Sequence, residues 1–146
     1  MKKVLVVCQE NTARSQMAEG YLRFYGKQRF EVYSADFNLR EVHPLAVAIM
    51  SEDSIDISLQ RTNPIEYWQH LRFDYVILVG DISPSDLPSY LKTAKQIVWN
   101  LPDPAKAKGT EEEKLATFRT IREEIKSLCL MFIGQKFPLG VLSMQY

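Results

Sequence analysis

Along this chain short apolar runs alternate with longer stretches in which apolar residues recur every three or four positions. The runs are Val4–Cys8, Phe30–Ala35, Phe73–Val79 and Ala94–Trp99. Their length and composition predict strands. Val4–Cys8, apolar at every position, predicts a central parallel strand covered on both faces. Met17, Ala18, Tyr21, Leu22 and Tyr25 have helical spacing and predict a first helix, capped by Ser15 or a polar neighbour and ended by Gly26. Pro44 fits a first helical position ahead of Leu45, Ala46, Ala48, Ile49 and Met50. Pro64 opens a short helix with Ile65, Trp68 and Leu71 on one side. Thr110 and Glu113 have capping-box spacing, and Leu115, Phe118, Ile121, Ile125, Leu128 and Phe132 form the stripe of a long helix.

Between these elements lie polar segments. Gln9–Ala13 is short, Asp36–Val42 is polar, and Ile55–Asn63 is irregular. Asp81–Ser89 carries Pro84 and Pro88 and predicts a loop with one helical turn. Leu101–Gly109, with Pro102, Pro104 and Gly109, predicts an exposed loop of functional type. The tail 134–146 is apolar but broken by Pro138 and Gly140, and its pattern assigns no element. Four strands alternating with helices predict an α/β fold of three layers, a four-stranded parallel sheet with helices on both faces. No repeat or linker divides the 146 residues, so a single domain over 1–146 is expected.

Charge narrows the partners. Lys plus Arg and Asp plus Glu both number 18, so no long-range attraction to a nucleic acid or an anionic membrane is expected. The start, MKKVLVVC, has the charge-then-apolar look of a leader, but its apolar run stops at Gln9 and no membrane-length span follows. Two cysteines, Cys8 and Cys129, are too few for a disulfide scaffold, which points to the reducing cytoplasm. No CxxC spacing occurs and His43 and His70 stand alone, so no metal and no cofactor are expected. A monomer or weak dimer is expected.

The informative chemistry is in Cys8-Gln9-Glu10-Asn11-Thr12-Ala13-Arg14-Ser15, between the best strand and the first helix. A loop entering a helix aims free backbone N–H groups at one point, where the helix dipole favours an anion. Arg14 adds a planar fork suited to two oxygens of a phosphate-like group. Cys8 sits at the carboxyl end of its strand, where open α/β sheets bind ligands. The same field is expected to favour the Cys8 thiolate. Ser15 can donate to that thiolate, and Asn11 can hold the loop through backbone bonds. Singly, each residue has a bland meaning: a strand-end cysteine packs in a core, an arginine is solvated, an asparagine turns the chain. In strand–loop–helix order, Cys8, Arg14 and Ser15 together point to a site for a small tetrahedral oxyanion. Neither a G-x-x-x-x-G-K loop nor a Rossmann glycine fingerprint is present.

A departing phosphoryl leaving oxygen needs a proton. Asp103, between Pro102 and Pro104, is the candidate donor, because the two prolines restrict the loop and the fourth strand delivers it to the edge that carries Cys8. A plain Asp-Pro turn explains the same letters. Asp81, just after the third strand, is placed in a supporting role.

With these residues in hand, VLVVCQENTARSQMAEG resembles the opening of the low-molecular-weight protein tyrosine phosphatase and thioredoxin-type arsenate reductase superfamily. Later segments follow in family order: Ser34-Ala35, His43-Pro44, Glu52, Ile55-Asp56-Ile57-Ser58, Phe73–Asp81, Trp99, Asp103-Pro104, and the helix with Phe118, Arg119, Arg122 and Ile125. They look more like the arsenate reductase branch. The resemblance implies strand order 2-1-3-4. It also implies Cys8 as nucleophile, Arg14 as oxyanion-binding arginine, Asn11 as loop stabiliser, Ser15 as neighbour of the thiolate and Asp103 as general acid.

The chain departs from that pattern in places. The two further cysteines of the thioredoxin-linked reductases belong near Val79 and Asp86, and neither is present. An internal disulfide relay through that segment is therefore excluded. Cys129, among Ile125, Leu128 and Met131, is expected in the core. Glu10, Asp36 and Ser54 stand where glycine is common in relatives, and Ala105 and Lys106 replace the aromatic residues that follow Asp-Pro in eukaryotic phosphatases. The expected function is phosphomonoester hydrolysis through a cysteinyl-phosphate. The alternative is arsenate reduction, in which an external thiol or redoxin resolves the Cys8 adduct. A non-catalytic anion-binding domain is the third reading.

Overall fold

In the computed structural model, residues 1–10 (Glu10 by its backbone), 13–38, 41–61 and 63–138 are described. Four strands form one parallel sheet: β1 (Lys2–Glu10), β2 (Phe30–Asn38), β3 (Tyr75–Val79) and β4 (Lys95–Trp99), in the order β2-β1-β3-β4. Three α-helices accompany them: α1 (Arg14–Gly26), α2 (Pro44–Glu52) and α3 (Glu111–Lys136). Sheet, parallel pairing and strand order agree with the expected fold.

Alternation along the strands separates two cores. Val4 and Val6 of β1, with Val32, Ile77 and Val79, face residues of all three α-helices, among them Tyr21, Ile49, Phe118 and Ile125. Leu5 and Val7, with Val76 and Leu78, face the opposite way, against Ile65, Ile82, Leu87 and Leu91. That second layer is made of short 3-10 helices, Ile65–Trp68, Pro84–Asp86 and Ser89–Leu91. Proline-rich sequence supports single turns there rather than long helices.

Several boundaries differ from the expected ones. β1 and β2 run two to three residues past their apolar runs, because Glu10 pairs with Asn38 in register and backbone pairing needs no apolar side chain. β3 begins at Tyr75, two residues after Phe73, and β4 at Lys95. The last helix continues through Gly134 to Lys136, and Phe137 then stacks on Phe30 at 4.5 Å between ring centres. Gly134 is exposed with open space around it, so nothing in its surroundings breaks the helix. The rest of the tail, 139–146, lies outside the described residues.

The end of α2 is tied to α3 by charge. Arg119 donates to both oxygens of Glu52, from Nε at 3.0 Å to Oε1 and from Nη2 at 2.8 Å to Oε2. Arg122 Nη1 donates to Glu52 Oε1 at 2.7 Å and to the Ile49 carbonyl at 2.9 Å. Hydrogen bonds from Arg119, then from Arg122, lower the Glu52 carboxyl from 4.5 to about 2. A carboxyl lowered on folding contributes stability above its unfolded value, and the contribution is lost as pH falls through its folded value. Stability should therefore fall between pH 4.5 and pH 2, and Glu52→Gln should flatten that slope. Urea unfolding of both proteins at pH 6 and pH 3 measures it; identical slopes would exclude Glu52 as a source. Solvent screens this exposed cluster, so the contribution, fully present at neutral pH, and the slope it produces should both be small.

Candidate functional site

The site lies at the carboxyl ends of the strands. Residue alternation puts Cys8 on the same face as Val4 and Val6, the face of α1. Cys8 has no exposed surface. Across the sheet it stands in register with Val79 of β3 and with Asp36 of β2, itself buried. Gln9 is not in a loop as expected but continues β1; its side chain is exposed and its carbonyl accepts from Asn38 Nδ2 at 3.2 Å. The side chain of Glu10, and Asn11 and Thr12 entirely, lie outside the described residues.

The start of α1 corrects the expected cap. Its N-cap is Ala13, buried and without a side-chain acceptor, while Ser15 is the second helical residue. No acidic residue occupies the first turn. A capping carboxylate or hydroxyl would take the N–H groups that an anion needs; the N-cap residue, Ala13, offers neither. Ser15 Oγ is buried and has no hydrogen-bond partner among the described residues.

Arg14, the first residue of α1, folds over the ends of β3 and β4 rather than into solvent and is 6% exposed. Its Nη1 donates to the Leu101 carbonyl at 2.8 Å, across 87 residues of sequence. Its Nη2 lies 3.8 Å from Asp103 Oδ2. The other carboxylate oxygen of Asp103 accepts from the Ala105 backbone N–H at 2.9 Å and caps the turn Pro104–Lys106. The loop is thus pinned by proline, cap and guanidinium, and Asp103 points at Arg14. Gly80, directly after Val79, lies under the same guanidinium. Val79 pairs with Cys8 across about 4.8 Å of sheet, so Cys8, Arg14 and Asp103 converge on one edge.

Several contributors carried no signal in the sequence. The Leu101 carbonyl and Gly80 act through backbone, which leaves no mark on side-chain patterning. His43, matched only as part of a motif, caps α2: its Nδ1 accepts from the Leu45 N–H at 3.1 Å, and its ring lies 4.9 Å from that of Phe118. Burial lowers its pKa and the nearby Asp103 charge opposes the fall. With Pro44, Pro104, Ala105, Lys114 and Phe118, it borders a cleft of about 300 Å³ beside the acid loop. Asp81 is exposed.

Cys129 is buried in the helical core as expected. Its Sγ donates to the Ala18 carbonyl at 3.7 Å, and burial pushes its thiol well up. Of three aromatic residues near β3, Tyr75 packs in the core on Phe132, Trp68 donates from Nε1 to the Ser34 carbonyl, and Tyr67 is exposed. No helix among the described residues is long and apolar enough to cross a membrane.

Comparison with known proteins adds four findings. The family described as low molecular weight phosphotyrosine protein phosphatase matches residues 3–137. An arsenate reductase of Halalkalibacterium halodurans is 38% identical over 85% of this chain and 89% of its own length. A glutaredoxin arsenate reductase of Synechocystis sp. is 36% identical over 86% of this chain and 92% of its own. Among solved structures, an arsenate reductase in the phosphate binding state superimposes with a TM-score of 0.79, at 36% identity, over 92% of this chain and 98% of the other.

Proposed function

The chain belongs to the low molecular weight phosphotyrosine protein phosphatase family, and from that premise we propose that it hydrolyses phosphomonoesters through a phosphocysteine at Cys8. The observation that carries this reading is the meeting of Arg14 and Asp103, 3.8 Å apart, beside the strand end that bears Cys8.

The Arg14 fork and the N–H groups at the start of α1 hold the non-bridging oxygens of the phosphoryl group. The Cys8 thiolate attacks phosphorus as the bond to the leaving oxygen breaks, and Asp103 in its acid form gives that oxygen a proton. Water then attacks phosphorus, Asp103 takes its proton, and the S–P bond breaks to return the thiolate and phosphate. Negative charge on the equatorial oxygens stays inside a fixed set of donors throughout both steps. In this reading the segment that joins β1 to α1 carries the guest, and Ser15 Oγ, buried and without a partner among the described residues, is available to donate to the thiolate when it forms.

Arsenate reduction is the second reading, favoured by the arsenate reductase relatives. Cys8 would displace an oxygen from arsenate to form an S–As bond. An external thiol would then attack sulfur, leaving a mixed disulfide while arsenic takes up two electrons and departs as arsenite. That thiol comes from outside, since the second cysteine, Cys129, is held in the helical core. A small thiol or a redoxin of the glutaredoxin class suits the step.

Two assays separate the readings: turnover of p-nitrophenyl phosphate, and arsenate-dependent oxidation of glutathione, glutaredoxin or thioredoxin. Hydrolysis predicts phosphate release that needs no thiol donor. Arsenite formed with one of the donors, without phosphate release, would reverse the order of the two readings. Neither product would leave a binding domain.

A further inference from the structure

We propose that Gly80 is a positioning residue, whose missing side chain is the berth that holds the Arg14 guanidinium against the acid loop. This rests on the reading of Arg14 as the group that grips the anion.

A Cβ at residue 80 would stand 2.4 Å from Arg14 Nη1, 2.8 Å from Cζ and 3.0 Å from Nη2. Three atoms of one planar fork are met at once, so no rotation of the fork in its own plane relieves the contact. Residue 80 cannot retreat cheaply. Its N–H donates to the Trp99 carbonyl at 3.0 Å, and it continues from β3, which is held between β1 and β4. Its φ of +94° is also a conformation that an L side chain strains to adopt. The guanidinium must therefore move.

Its neighbours fix what moving costs. Nη1 is bound to the Leu101 carbonyl and Nη2 faces Asp103, both in a buried setting. A shift of about an ångström breaks the first and misaims the fork toward the anion. A displacement of that size in a positioned group costs on the order of 10²-fold in rate. By this account the lack of a side chain at residue 80 sets where the anion's oxygens are gripped, although Gly80 contributes no atom to the grip.

The test compares the wild type with Gly80→Ala, Arg14→Ala and the double variant, reading phosphate affinity by calorimetry and the thermal midpoint. Gly80→Ala should weaken phosphate binding about 10- to 10²-fold, the worth of one misaimed hydrogen bond to a charged group. Its drop in thermal midpoint should be smaller when residue 14 is alanine, because no guanidinium remains to be struck. Should Gly80→Ala fail to fold, a folded double variant supports the proposal and an unfolded one overturns it. Unchanged phosphate affinity in folded Gly80→Ala, or equal midpoint drops in both backgrounds, also overturns it. Wild-type phosphate affinity in Arg14→Ala would instead defeat the proposed function, whatever Gly80 does.

Discussion

Cys8→Ser is expected to lower kcat for p-nitrophenyl phosphate on the order of 10⁴- to 10⁶-fold, the size of loss seen when other enzymes lose their nucleophile. A thiol near its ordinary pKa of about 8.5 is already partly ionised at neutral pH, and an anion-binding loop increases that fraction. A serine hydroxyl is not ionised there and needs an adjacent base. His43, near Asp103, spends its Nδ1 on the α2 cap. The substitution is conservative in shape. Cys8 is wholly enclosed, and oxygen for sulfur shrinks it slightly, so the fold should persist. Phosphate affinity should also persist, since Arg14 and the helix start are untouched. Steady-state turnover and calorimetric phosphate titration of the same preparation check both halves. Turnover within tenfold of wild type would remove Cys8 from the reaction.

The second large effect depends on the leaving group. Asp103→Asn should slow phenyl phosphate hydrolysis by about 10²- to 10⁴-fold, the usual worth of a positioned general acid. For p-nitrophenyl phosphate, whose phenolate departs without a proton, the loss in kcat/KM, which covers the steps up to the phosphocysteine and not its hydrolysis, should be much smaller. Asparagine keeps an oxygen that accepts from the Ala105 N–H, so the cap of the Pro104–Lys106 turn survives and the loop stays in place. The proton is removed while the geometry remains. kcat/KM for a series of aryl phosphates of rising phenol pKa measures this free of the later water step, with a steeper dependence expected in the variant. Equal losses across the series would make Asp103 a structural partner of Arg14 rather than an acid.

The parts legible in the sequence were those with side-chain signatures. Val4–Cys8 announced a central strand because both faces of β1 are covered, by Val4 and Val6 on one side and Leu5 and Val7 on the other. Thr110 and Glu113 do form a reciprocal cap, and Cys129 is the core residue its neighbours implied. The order of the strands came from family likeness, since periodicity says nothing about which strand lies beside which. What escaped was carried by backbone. The extra length of β1 and β2 rests on the pairing of Glu10 with Asn38 and on the bond from the Asn38 side-chain amide to the Gln9 carbonyl. The cap of α1 was misread because Ser15 has the right chemistry at the wrong position, inside the first turn. Leu101 and Gly80 enter the candidate site through a carbonyl and an absent methyl, neither of which any spacing rule can flag.

The bond from Arg14 to the Leu101 carbonyl bears on how the protein comes together as it is made. A nascent chain that has emerged only through β2 already carries Cys8 and Arg14, yet the guanidinium has no carbonyl to hold it and no berth at residue 80. The receptor for the anion is completed only when the last strand of the sheet is in place and the segment beyond it has closed over the first helix. Occupancy thus senses the finished architecture: an anion present during synthesis cannot rescue an N-terminal half that fails to join the rest. Once bound, it resists opening of all four strands together instead of reinforcing one corner.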